Sequence, residues 1–149
     1  MIVLDTNILS ELVRPFPALE IKNWLLNKTA NETLATTAIT VSEIEYGLAR
    51  LPDGRRRKDL EERFEMLTGA QFDFVVLPFE EKAARLAGRL RAAREASGLH
   101  AHSADMMIAA ICALAGASLA TRNTKDFTGT GIELINPWEL MGQANSPHE

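Results

Sequence analysis

Four carboxylates in this chain stand where an active site would need them. Asp5 closes the apolar run that begins at Met1, and Asp126 follows a second apolar run, 118 to 121, by a short loop. Asp105 and Glu43 each fall in the first turn of a helical pattern. Carboxylates brought together repel one another and lose hydration, so a shared cation is what makes such a cluster stable. An all-oxygen ligand set suits Mg²⁺ or Mn²⁺. One or two such ions in an acidic cleft can bind a phosphodiester, activate water and stabilise the leaving oxygen. Each residue also has a plainer role. Glu43 pairs with Thr40 in the pattern of a capping box, and Asp105 can complement a helix dipole. Asp5, followed by Thr6 and Asn7, can close a simple turn, and Asp126 can be an ordinary loop residue.

The elements that must position these groups alternate in type. Short apolar runs at 1 to 4, 34 to 37, 74 to 77, 118 to 121 and 133 to 135 read as strands without clean alternation. Helical patterns lie between them, at 8 to 13, 18 to 27, 40 to 51, 60 to 67, 79 to 96 and 104 to 115. Pro17 suits the first turn of the second helix, Ser103 the cap of the last, and Gly98 and Gly116 are stop signals. Nearly continuous apolar strands alternating with helices predict an α/β fold, three layers α/β/α around a central, mostly parallel sheet. In open sheets of this kind the ligand cleft opens beyond the carboxyl ends of the strands, where strand order reverses.

Composition bounds the rest. With 149 residues the chain makes one domain, 1 to 141, followed by a polar tail, 142 to 149. Hydrophobic residues at 46% are too many for a disordered chain, and the apolar stretch at 106 to 120 falls short of the ~20 residues a membrane span needs. One cysteine and an opening without a basic, apolar leader fit a cytoplasmic protein. A net charge of −4 argues against a nucleic-acid partner, until the four carboxylates are set aside, which leaves 16 acidic against 16 basic residues.

Four segments in order carry a family resemblance: Met-Ile-Val-Leu-Asp-Thr-Asn at the start, Thr-Val-Ser-Glu-Ile-Glu-Tyr-Gly at 40 to 47, Ser-Ala-Asp-Met-Met-Ile-Ala-Ala at 103 to 110, and Thr-Arg-Asn-Thr-Lys-Asp-Phe at 121 to 127. Together they resemble the PIN-domain ribonucleases, and most closely the VapC and FitB-type toxins of bacterial toxin-antitoxin pairs. The resemblance runs from Met1 to the Asn136-Pro137-Trp138 segment. It implies an acidic site of Asp5, Glu43, Asp105 and Asp126, with the last at the family's most variable position. It further implies a Mg²⁺ or Mn²⁺-dependent endoribonuclease, a homodimer, and a small antitoxin that holds the enzyme inactive. On that reading Asp5 and Asp105 ligate the metal, Asp126 completes the coordination, and Glu43 ligates a second ion or orients the attacking water. Thr6, Asn7, Thr121 and Asn123 would hold these carboxylates in place.

Two rivals differ in class. A receiver or phosphotransfer domain wants a second acidic residue near the first, but Thr6 and Asn7 follow Asp5. A catalytically idle PIN-like binding module has no need of intact carboxylates at all four positions. Away from the acidic set, Arg55, Arg56 and Arg57, and the stripe Lys82, Arg85 and Arg89, are candidate RNA contacts or solvated surface. His100 and His102 read as loop residues, and Cys112 as core. Ile8, Leu9, Leu12, Val13, Leu19, Ile21, Trp24 and Leu25 give the first two helices more apolar surface than one stripe needs, which suits either a partner groove or deeper burial.

Overall fold

The computed structural model describes residues 1–69 and 74–144. In chain order the elements are β1 (Ile2–Leu4), α1 (Thr6–Leu12), α2 (Leu19–Thr29), β2 (Leu34–Thr37), α3 (Ala38–Ala49), α4 (Arg55–Thr68), β3 (Val75–Leu77), α5 (Glu81–Ala96), α6 (Ser103–Ala115), β4 (Ser118–Ala120), β5 (Leu134–Ile135) and α7 (Pro137–Ala144), with a 3-10 turn, Thr124–Phe127, after β4. All strand pairs are parallel, in the order β3-β2-β1-β4-β5. The expected α/β/α architecture is therefore present, with strand order reversing between β1 and β4.

Parallel strands covered on both faces must be apolar on both, and β1 shows how the layers form. Ile2 and Leu4 pack with Ile8, Leu9, Ile21, Trp24, Ile44, Leu48 and Phe64 on one side. Val3 turns to the other, against Ala35, Leu119 and the α6 residues Ile108, Ala109 and Cys112. Helix α6 is apolar nearly all round because it is sandwiched between the sheet and α5. Its stop is Gly116, at φ 62°, a left-handed conformation that favours glycine. Cys112 is fully buried, and burial pushes its thiol up to about 12.

Several local expectations are corrected. The Thr40 and Glu43 capping box does not form, because the helix starts earlier: Thr37 is the N-cap and its Oγ1 accepts from the Thr40 amide at 3.1 Å. A cap of this kind contributes about 1 kcal/mol. Glu43 therefore lies beyond the first turn and has no capping duty. At α6 the cap is His102, and the Ser103 hydroxyl instead accepts from Arg91 at 2.9 Å. Helix α4 begins at Arg55 rather than near Leu60, so the basic run forms its first turn; there Arg57 offsets the unfavourable dipole by pairing with Asp53 at 3.1 Å and Glu61 at 2.7 Å. Pro17 precedes α2, whose first turn is closed from Ala18. Helix α7, which the sequence reading did not include, is opened by Asn136, whose Oδ1 accepts from the Trp138 amide at 3.0 Å. It extends past Met141 to Ala144, and the remainder of the polar tail, 145 to 149, lies outside the described residues.

Candidate active site

The turn from β1 into α1 sets the first carboxylate. Asp5 is the N-cap of α1, with one oxygen accepting from the Thr6 amide at 2.8 Å. Its other oxygen accepts from the Thr121 hydroxyl at 2.7 Å, across the point where strand order reverses. Both hydrogen bonds favour the ionised form, but Asp5 is only 7% exposed. Burial dominates, aided by the charge of Asp126, and the Asp5 carboxyl is held above the usual carboxylate range.

Around Asp5 an acidic cleft of about 450 Å³ is lined by Asp5, Thr6, Asn7, Ser10, Glu11, Arg14, Glu43, Asp105 and Asn123. Glu43 reaches it from the second turn of α3, where its carboxylate accepts from the Thr6 hydroxyl at 2.8 Å. Asp105 enters from the first turn of α6. Its carboxyl is pushed up to about 6, first by burial, then by the charges of Asp5 and Asp126, with His102 opposing and Glu43 adding to the rise. A helix N-terminus by itself would lower it, so burial together with like charge outweighs any dipole role. Asp126 sits in the 3-10 turn and is not part of the cleft wall, yet its charge bears on both Asp5 and Asp105. Asp105 thus feels the charge of each of the other three carboxylates.

The second-layer expectations separate into two kinds. Thr6 and Thr121 bond the carboxylates directly, whereas Asn123 donates its amide to Thr121 Oγ1 at 3.1 Å and Asn7 Oδ1 accepts from the Arg122 amide at 3.4 Å. Ser10, Glu11 and Arg14 were missed, though the signal was available: with Asn7 they recur at i, i+3, i+4 and i+7, one face of α1 and its exit. Arg14 is paired with Glu11 at 3.1 Å.

The basic groups lie elsewhere. Arg56 lines a neighbouring apolar groove, Arg57 is ion-paired within α4, and Arg85 pairs with Glu81 at 3.1 Å. Lys82 stands beside Ile111, Leu114 and Ala115, at the opposite end of α6 from Asp105. Arg55 and Arg89 are exposed. His100 and His102 are exposed loop residues with their rings edge to face. The apolar surplus on the first two helices is mostly internal: Ile8, Leu9, Val13, Ile21 and Trp24 are buried, Leu12 and Leu25 pack against them, and Leu19 is exposed. The groove, about 630 Å³, is formed instead by Val13, Pro15 and Phe16 after α1, by Ile44, Leu48 and Leu51 of α3 and its exit, and by Leu60 of α4. Ser10 and Arg14 line both groove and cleft.

The donor set fits a hard divalent cation in its chemistry: its carboxylates offer oxygen ligands, and they crowd negative charge that a cation would relieve. Among the described residues no three acidic, imidazole or thiol side chains stand in a ready-made ligating arrangement. The same residues describe a known architecture. The PIN domain family model matches residues 2–131. A VapC ribonuclease of Sinorhizobium fredii is 40% identical over 139 residues, covering 93% of this chain and 99% of its own. Toxin FitB of Neisseria gonorrhoeae is 35% identical over 138 residues, with 93% and 99% covered. The crystal structure of FitAcB from Neisseria gonorrhoeae superposes with a TM-score of 0.79 at 33% identity, covering 93% of this chain and 99% of that one. With a family model spanning every element from β1 to the 3-10 turn, and relatives matched over nearly their full length, the chain belongs to the PIN-domain family.

Proposed function

We propose that the protein is a Mg²⁺ or Mn²⁺-dependent endoribonuclease and the toxin of a toxin-antitoxin pair. The observation that carries this reading is the convergence of Asp5, Glu43 and Asp105 on one cleft at the switch point of a PIN-family sheet, with the charge of Asp126 bearing on Asp5 and Asp105. The names of the relatives, one a ribonuclease and one a toxin, support it.

Asp5 and Asp105 would hold the ion, with Asp126 completing the set. When bound, the ion supplies Lewis-acid stabilisation of charge on the phosphodiester oxygens and offsets the carboxylate repulsion. The chain's own residues do the rest. Thr121 and Thr6 fix the Asp5 carboxylate, so its orientation is set before substrate arrives. Glu43, held by the Thr6 hydroxyl, would ligate a second ion or orient the attacking water and take its proton. Attack of that water on phosphorus would break the P–O3′ bond, the departing O3′ taking a proton from solvent, and leave a 5′-phosphate and a 3′-hydroxyl. No 2′-hydroxyl takes part.

The apolar groove supports a partner reading. Phe16, 92% exposed, and the groove it borders suit an apolar segment of a small antitoxin. Because Ser10 and Arg14 belong to both groove and cleft, a segment seated there ends beside the carboxylates. The family reading adds a homodimer.

The test is cleavage of RNA by the purified chain with Mg²⁺ or Mn²⁺, with end analysis of the products. Cleavage abolished by EDTA and leaving 5′-phosphates supports the reading. Metal-independent cleavage, or 2′,3′-cyclic ends, overturns the mechanism, and absence of cleavage with either ion favours the idle binding module. Gel filtration with and without the neighbouring small gene product tests the assembly.

A further inference from the structure

The acidic cleft poses a problem for a polyanionic substrate. Its walls carry Asp5, Glu11, Glu43 and Asp105, and the cation among them, Arg14, is already paired with Glu11. An ion at the carboxylates compensates at one phosphate, but the flanking phosphates of a strand need their own cations. Arg122 is the candidate to supply one, because its backbone borders the cleft: its amide donates to Asn7 Oδ1, and Asn7 lines the cleft. It lies between Thr121, which holds Asp5, and Asn123, which lines the cleft. Its side chain is exposed, and among the described residues it forms no ion pair.

Two further contacts fix it. The Arg122 amide donates to Asn7 Oδ1 at 3.4 Å, and its carbonyl accepts from Asn136 Nδ2 at 3.3 Å, so the backbone is clamped between α1 and the start of α7. The guanidinium carbon stands 4.9 Å from the centroid of the Trp138 ring. The Trp138 backbone is itself held by Asn136, whose Oδ1 accepts from the Trp138 amide. An aromatic face attracts a guanidinium without consuming its N–H donors. The fork of donors stays free for a phosphate, and the side chain gives up less freedom on binding it.

We propose that Arg122, held against Trp138, binds a phosphate of the RNA strand beside the one in the acidic cleft, and that Asn136 and Trp138 act as its positioning residues. The inference rests on the ribonuclease reading above and names the residue that grips its substrate outside the carboxylates. Helix α7 thereby acquires a part in substrate binding.

The experiment measures binding of a labelled single-stranded RNA of mixed sequence to the full chain in an Asp5→Asn background, across a salt series. Arg122→Gln is expected to weaken binding about tenfold and to reduce the slope of log affinity against log salt by about 0.7, the value for one lost phosphate contact on a single strand. Arg122→Lys should keep the slope. Trp138→Leu should keep the slope too, while weakening binding about threefold, because the charge remains and only its placement is lost. In the active chain, Arg122→Gln should raise KM by a larger factor than it lowers kcat. If Arg122→Gln lowers the melting temperature but leaves affinity and slope unchanged, Arg122 is a clasp for α7 and the inference falls, even where the parent chain cleaves RNA. If the parent chain binds and cleaves no RNA, the ribonuclease reading falls with it.

Discussion

The acidic cleft and the apolar groove share Ser10 and Arg14 and differ in almost everything else. The cleft brings together groups that destabilise one another, with Asp5 and Asp105 both held above the ordinary carboxylate range. The groove is bordered by side chains that already belong to the core, since Val13, Ile44 and Leu48 are buried and Leu51 and Leu60 pack against them. Strain marks the first region, and unspent apolar surface marks the second. The contrast sets a region that retains an electrostatic conflict beside one that is an edge of the core left open.

Breaking the cleft at its centre should have the largest effect. Asp5→Asn keeps the α1 cap nearly isosteric but removes the central charge, and cleavage should fall about 10³-fold, the worth of several kcal/mol of transition-state stabilisation. Assay on one RNA with the metal present measures this, with circular dichroism confirming the fold. Retained activity would leave the cleft no more functional than the groove.

Next in size is the response to metal. Wild type should gain about 2.7 kcal/mol of stability from Mg²⁺ at a hundred times its dissociation constant, and Asp105→Asn should lose most of that gain. In EDTA the order should reverse. The folded Asp105 carboxyl titrates at about 6, above the ordinary value near 4 of an unfolded chain, so the native state binds the proton more tightly. Its destabilising share is absent below about pH 4, grows as pH rises through the interval, and is complete above about pH 6. Asp105→Asn should therefore be the more stable protein at neutral pH, by about 1 kcal/mol after allowance for solvent screening, and the advantage should vanish near pH 4. Thermal melts across that range decide it, and a variant that melts well below wild type at neutral pH would make Asp105 a structural cap.

A smaller loss is expected at Thr121. Its hydroxyl favours the ionised form of Asp5, so Thr121→Val should raise the Asp5 pKa further and move the acid limb of the activity profile to higher pH. Activity at neutral pH should drop between about tenfold and a hundredfold, the usual range for a residue that orients a ligand. A profile that loses height without shifting would assign Thr121 to packing alone.

The groove should give the smallest change. Phe16 is almost wholly exposed, so Phe16→Ser should alter stability by no more than about 0.5 kcal/mol. A larger loss in a thermal melt would show that Phe16 supports the core and erase the distinction between the two regions.

Much of this was legible in the chain before folding. Alternation of apolar runs with helical patterns placed every strand to within a residue of its observed ends, because a strand buried on both faces must be apolar throughout. Asp5 and Asp105 were visible because strand ends and first helical turns are fixed by local signals. Glu43 was harder, since Thr40 offered it a local partner that the earlier start at Thr37 removed. Of the basic run at 55 to 57, only Arg57 is ion-paired among the described residues, with Asp53 and Glu61; a charge run says nothing of which neighbours will pair with it.

What the sequence determined by itself, then, is whatever a single element sets locally: the type of each strand, the helix stop at Gly116, and the placing of Asp5 at a strand end and Asp105 in a first helical turn. The tertiary structure alone decided which of these meet. The Thr121 hydroxyl finds Asp5 across 116 positions of sequence. Arg122 meets Trp138 only because α7 returns to the sheet, and the groove exists only because α1, α3 and α4 leave a gap. Contacts of this range depend on the order of strands in the sheet, and strand order follows from the packing of both faces together, which no local pattern encodes.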